Sequence, residues 1–103
     1  MAKVIDVPEP VKLNGKDDFK FAEFLEAALD MYEPLGKGIK SIKQAVKIHT
    51  ILEAMNGEKT LRLEDADFEV VKAAVDAGKW LPKAARLMLP YFEALEAPQN
   101  VKV

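Results

Sequence analysis

Glycine and proline cut this chain into short pieces. Between the cuts apolar residues recur every three or four positions, so the fold has to be built mainly from short amphipathic helices. Phe21, Phe24, Leu25, Ala28, Leu29 and Tyr32 follow that period and predict a first helix, which Pro34, Gly36 and Gly38 bring to an end. A second stripe, Ile39, Ile42, Val46, Ile48 or His49, Leu52 and Met55, runs to Asn56-Gly57, a pair suited to a left-handed C-terminal cap. Its apolar residues are expected to face the core. Glu64-Asp65-Ala66-Asp67 supplies N-terminal acids ahead of Phe68, Val71, Ala74 and Val75, predicting a third helix that stops at Gly78. Leu81-Pro82 opens a fourth, in which Leu81, Ala85, Met88, Phe92 and Leu95 keep helical spacing and Pro90 imposes a kink or a split.

The remaining segments alternate instead. Val11 and Leu13, then Asn14-Gly15, then Phe19 and Phe21 suggest a small hairpin, with Asp17 or Asp18 as an alternative cap for a helix starting at Phe19. Thr60-Leu61-Arg62-Leu63 reads as a strand with both leucines inward, pairing with Val11 to Leu13 or with Phe19 to Phe21. Pro8 and Pro10 each lack a backbone donor, which makes their segment an arm or a sheet edge. The expected fold is mainly α with a small β element, an α+β arrangement. It has about four helices, the last kinked at a proline, and a two- or three-stranded antiparallel sheet. With 103 residues, 1–103 form a single domain, and 1–10 and 98–103 are expected to be flexible arms.

Composition narrows the chemistry. Cysteine is absent, which removes disulfides, thiolate metal sites and thiol nucleophiles and leaves the core to hold the domain together. No apolar run approaches the roughly 20 residues of a membrane span, and no signal-peptide apolar core follows Met1; the expectation is a soluble, unprocessed, cytoplasmic protein with no membrane partner. Ser41 is the only serine and His49 the only histidine, too thin a supply for a nucleophile, base and oxyanion set. His49 is expected to be a packed, hydrogen-bonded residue.

Two lookalike motifs fail on spacing. Gly36-Lys37-Gly38-Ile39-Lys40-Ser41 has one residue between its glycines where a phosphate-binding loop needs four. Asp65-Ala66-Asp67-Phe68-Glu69 resembles the start of a calcium loop, but Val70 stands where glycine is required. The chain is therefore expected not to be an enzyme, and to need no metal and no cofactor.

Charge is the anomaly. The formal net charge is -2, yet no acid lies between Glu33 and Glu53, while Lys37, Lys40, Lys43 and Lys47 fall in that interval. Lys40, Lys43 and Lys47 are spaced three and four apart and predict one exposed ridge opposite Ile42 and Val46, a candidate binding surface for an anionic partner. Arginine, the usual reader of base edges, is absent from the ridge, which counts against nucleic acid. Trp80, Leu87, Leu89 and Tyr91 form a second candidate interface, because the fourth helix is apolar on more than one side. The partner expected is a second copy of the chain, in a homo-oligomer, or another protein; a nucleotide or other phosphorylated small molecule sequestered on the lysines is the alternative.

Phe21-Ala22-Glu23-Phe24-Leu25, Leu61 to Leu63 leading into Glu64-Asp65-Ala66-Asp67-Phe68, and Ala85-Arg86 before Pro90-Tyr91-Phe92-Glu93-Ala94-Leu95 carry a resemblance. In these the chain resembles small uncharacterised accessory proteins of tailed bacteriophages. The resemblance implies a viral protein in the host cytoplasm that acts by binding, as an assembly factor or as an inhibitor of a host protein such as a defence component.

Overall fold

The first helix forms where its period predicts. In the computed structural model, which describes residues 2–12, 18–55 and 58–101, α1 spans Phe21–Met31 and buries Phe21, Phe24, Leu25, Ala28 and Leu29. A 3-10 turn, Glu33–Gly36, places Pro34 in its opening positions, where the missing donor costs nothing. Gly38 then turns the chain with φ +89, a conformation that side-chain-bearing residues resist, and α2 follows over Ile39–Glu53. The third helix, α3, is Asp65–Ala77, with Asp65 and Asp67 in its first turn, where negative charge meets the positive end of the helix dipole.

Pro90 splits the last helix rather than kinking it. Inside a continuous helix its ring would strike the carbonyl of Arg86, so α4 (Pro82–Leu87) ends, Met88 breaks the run, and α5 (Leu89–Glu96) restarts with Pro90 in its first turn. Pro82 occupies the same kind of position in α4.

The β structure corrects the expected pairing. A three-stranded antiparallel sheet has β1 (Ala2–Asp6) at its centre, flanked by β4 (Thr60–Glu64) and β5 (Gln99–Val101). Its register sets Ile5 opposite Leu61 and Val4 opposite Gln99. The segments 2–6 and 99–101 expected in flexible arms are thus strands. Pro8 and Pro10 lie beyond the last paired residue of β1, so they interrupt no ladder bond there. The hairpin does form, as a separate two-stranded sheet of β2 (Val11–Lys12) and β3 (Asp18–Phe19), and it does not pair with β4. The expected turn at Asn14-Gly15, Leu13, the alternative cap at Asp17 and the cap at Asn56-Gly57 lie outside the described residues.

The sheet and helices enclose one core. Ile5, Leu61 and Leu63 come from the sheet, and Ile48, Leu52, Phe68, Val71, Tyr91 and Leu95 join the buried side of α1. Aromatic rings dominate one part of it. Phe24 lies 4.9 Å from Trp80, 5.3 Å from Tyr91 and 5.4 Å from Phe92 between ring centres. Trp80 donates its indole N–H to the Val75 carbonyl at 2.9 Å and covers Gly78 so closely that a Cβ there would sit 2.8 Å from its Nε1.

Candidate protein-docking site

Helix α2 is anchored at one end and bare at the other. Ile48 and Leu52 are fully buried, whereas Ile39 is 74% exposed, Ile42 46% and Val46 59%. At 100° per residue, roughly, Ile39, Ile42 and Val46 stand on the side of the helix opposite Ile48 and Leu52. Their stripe therefore faces away from the core, which overturns the expectation that it packs inward.

Of the ridge lysines only Lys43 comes beside that stripe; at roughly 100° per residue Lys40 and Lys47 stand on the far side of the helix from Ile42, as expected. Lys43 is four residues from Ile39 and three from Val46, so on the helix surface it borders both, and Lys40 and Lys47 continue the lysine row away from them. The exposed part of α2 thus carries three aliphatic side chains along one side and a row of ammonium groups that meets them at Lys43.

Among the described residues, only one of the four lysines meets carboxylates. Lys47 Nζ lies 3.0 Å from Asp67 Oδ2 and 3.4 Å from Glu64 Oε2. Asp67 is buried; its Oδ1 accepts a hydrogen bond from Gln44 Nε2 at 3.2 Å, while its Oδ2 has the Lys47 ammonium as neighbour. The hydrogen bond and charge of Asp67, with Glu64 as a weaker second, hold the Lys47 pKa above the ordinary lysine value. Among the described residues, no carboxylate oxygen lies within 4.0 Å of Lys37, Lys40 or Lys43. The first turn of α2 holds no acid, so Lys40 also stands against the helix dipole.

His49 lies between two carboxylates of α1. Its Nε2 is 3.3 Å from Asp30 Oδ1 and its Nδ1 is 3.9 Å from Glu26 Oε2, on a half-buried surface between the helices rather than in the core. Among the described residues, no group of three or more histidines and carboxylates could hold a metal ion, and no helix is long and apolar enough to cross a membrane.

The second candidate surface divides. Tyr91 is fully buried, so it is a core residue and not an interface anchor: its hydroxyl accepts the Val11 N–H at 3.1 Å and donates to the Phe19 carbonyl. Trp80 is half-buried and committed to Phe24, Phe92 and Val75. Leu87 and Leu89 are exposed as expected, joined by Leu81, which the helical stripe had assigned inward.

A cleft that no motif announces lies at the anchored end of α2. About 640 Å³ in volume, it opens between the Val7–Pro10 segment, the start of α1 and the end of α2, with Phe21, Leu52 and Met55 among its apolar lining. Glu9, Glu23, Glu26, Glu53 and Glu58 line it against two lysines, Lys20 and Lys59. These acids come from several separate segments, so no local spacing marks them. No family model matches the chain, and no curated protein or solved structure matches it.

Proposed function

We propose that this chain is a non-catalytic binding protein that docks a protein partner on the N-terminal half of α2. The observation that carries the reading is the joint exposure of Ile39, Ile42 and Val46 on the same half-helix as Lys40 and Lys43, with Lys37 just before it, three cations with no carboxylate in reach among the described residues. An aliphatic side chain of this size gains about 1.5–3 kcal/mol on moving from water into apolar contact. The lysines add attraction for acids and select the partner: an apolar contact bordered by carboxylates. The resemblance to phage accessory proteins fits such a role, as an assembly factor or an inhibitor of a host protein.

Capture of a phosphorylated small molecule is the second reading, favoured by the same three lysines. It accounts less well for the site. Phosphate has no use for the aliphatic stripe next to Lys43, and the cleft, where a small molecule would be enclosed, is lined by five glutamates that repel it.

A photo-activatable cross-linker placed at Ile42 in cells making the chain tests the proposal, with Lys79, on the α3–α4 connection, as the control position. Ile42 is expected to give a discrete protein adduct that Lys79 does not, weakened several-fold by Lys40→Glu with Lys43→Glu. Equal labelling from both positions, or an adduct indifferent to the charge reversal, would refute it.

A further inference from the structure

Two of the surfaces that the fold leaves open match one another. At one end of the α1–α2 pair, Lys37, Lys40 and Lys43 accompany an exposed aliphatic stripe; at the other, five glutamates line a cleft with an apolar floor. We infer that the cleft of one copy receives the N-terminal half of α2 from a second copy, so that the chain associates head to tail. This rests on α2 being a docking surface, and it names the partner.

Complementarity holds in both charge and polarity. The glutamates outnumber Lys20 and Lys59 by three, and the incoming segment brings three lysines that meet no carboxylate among the described residues. Val7, Pro8, Pro10 and Ala22, the apolar lining residues that are not buried, offer a contact to Ile39, Ile42 and Val46 above Phe21, Leu52 and Met55, in a volume of about 640 Å³, within the range of ligand-sized clefts.

Within one molecule the two surfaces cannot satisfy each other. Lys40 and Glu53 sit near opposite ends of the same helix, about 20 Å apart at 1.5 Å per residue. That is more than twice the screening length of about 8 Å at physiological salt. A two-fold contact of α2 with itself would press two lysine edges together, so a symmetric dimer through this helix is disfavoured. Unlike surfaces give a heterologous contact, which closes into a ring or extends into a chain of copies.

Two variants separate the surfaces. One carries Lys37→Glu just before the helix with Lys40→Glu and Lys43→Glu on it; the other carries Glu23→Lys, Glu53→Lys and Glu58→Lys in the cleft. All six positions are exposed, and far-UV circular dichroism checks that both variants keep the wild-type fold.

Light scattering after gel filtration, from about 10 µM to 1 mM chain, reads the outcome. The wild-type mass is expected to rise with concentration and to fall back toward one chain in about 1 M salt, where the screening length shrinks to about 3 Å. Each variant alone is expected to stay monomeric. Mixed in equal amounts they should associate again, because the intact cleft of one takes the intact helix of the other, and the reversed helix meets the reversed cleft with opposite charge.

A wild type that remains monomeric throughout, or a mixture that does, overturns the inference. If the helix variant loses association while the cleft variant keeps it, the cleft is the wrong receptor and α2 still stands as a docking surface. Association retained by both variants removes α2 from the contact as well.

Discussion

Tyr91 shows how much a single hydroxyl holds in this fold. The ring is enclosed by Phe21 and Phe24, while the oxygen reaches past them to bind backbone groups of both strands of the hairpin, Val11 and Phe19. Removing that oxygen leaves the ring packed but strands a partly buried N–H. Leaving such a donor unsatisfied costs about 1–3 kcal/mol. Tyr91→Phe is therefore expected to lower the urea midpoint by that equivalent with an unchanged slope, read by the fluorescence of Trp80, the only tryptophan. An unshifted midpoint would mean that the hairpin is held without this bond. The sequence showed an aromatic beside a proline on a helix with more than one apolar side, and that pattern is equally consistent with an outward anchor. What places Tyr91 inside is a partner more than seventy residues away in the chain, which no local pattern encodes.

At the scale of elements, period was legible and orientation was not. Helices α1 and α3 carry one apolar stripe each, so finding the stripe also finds the buried face. Helix α2 carries two on opposite sides, Ile39-Ile42-Val46 and Ile48-Leu52, and periodicity counts both without saying which the core covers. Strand β4 was legible from its alternation, but its partner was not, because β1 joins it across most of the chain's first half and Pro8 and Pro10 drew attention from a short strand just before them. The cleft was illegible for the same reason: its acids meet only when distant segments do. Lys47 belongs to this scale, since with Gln44 it ties α2 to the buried Asp67 of α3. Its pKa is raised in the folded state, so its contribution is complete below the ordinary lysine value of 10.5 and is lost as pH climbs through the folded value. Lys47→Met is expected to be less stable than wild type at neutral pH, with a gap that stays constant up to about pH 10 and narrows above it. Paired urea titrations across that range check this, and a gap that widens with alkali would contradict it.

The sheet decides whether the molecule unfolds as one unit. Its central strand comes from residues 2–6 and its neighbours from 60–64 and 99–101, so every segment between them is enclosed by pairings that close only when the whole chain is assembled. Ile5 stands at that junction, fully buried and opposite Leu61, with α1, α2, α3 and α5 all contributing to the same core cluster. Truncating a buried isoleucine to alanine removes transfer free energy and leaves a cavity, together about 2–5 kcal/mol. Against a total of about 5–15 kcal/mol for a domain, that is a large fraction. Trp80 follows α3 on a different segment and reports on the aromatic part of the core, whereas far-UV circular dichroism reports on all the helices. If the sheet closes a single cooperative unit, Ile5→Ala lowers both transitions equally and they stay coincident, as two-state behaviour requires. A Trp80 transition that keeps its wild-type midpoint while the helical signal moves would show that the aromatic cluster and the sheet unfold apart, and that residues 2–6 are an attachment rather than the centre of the fold.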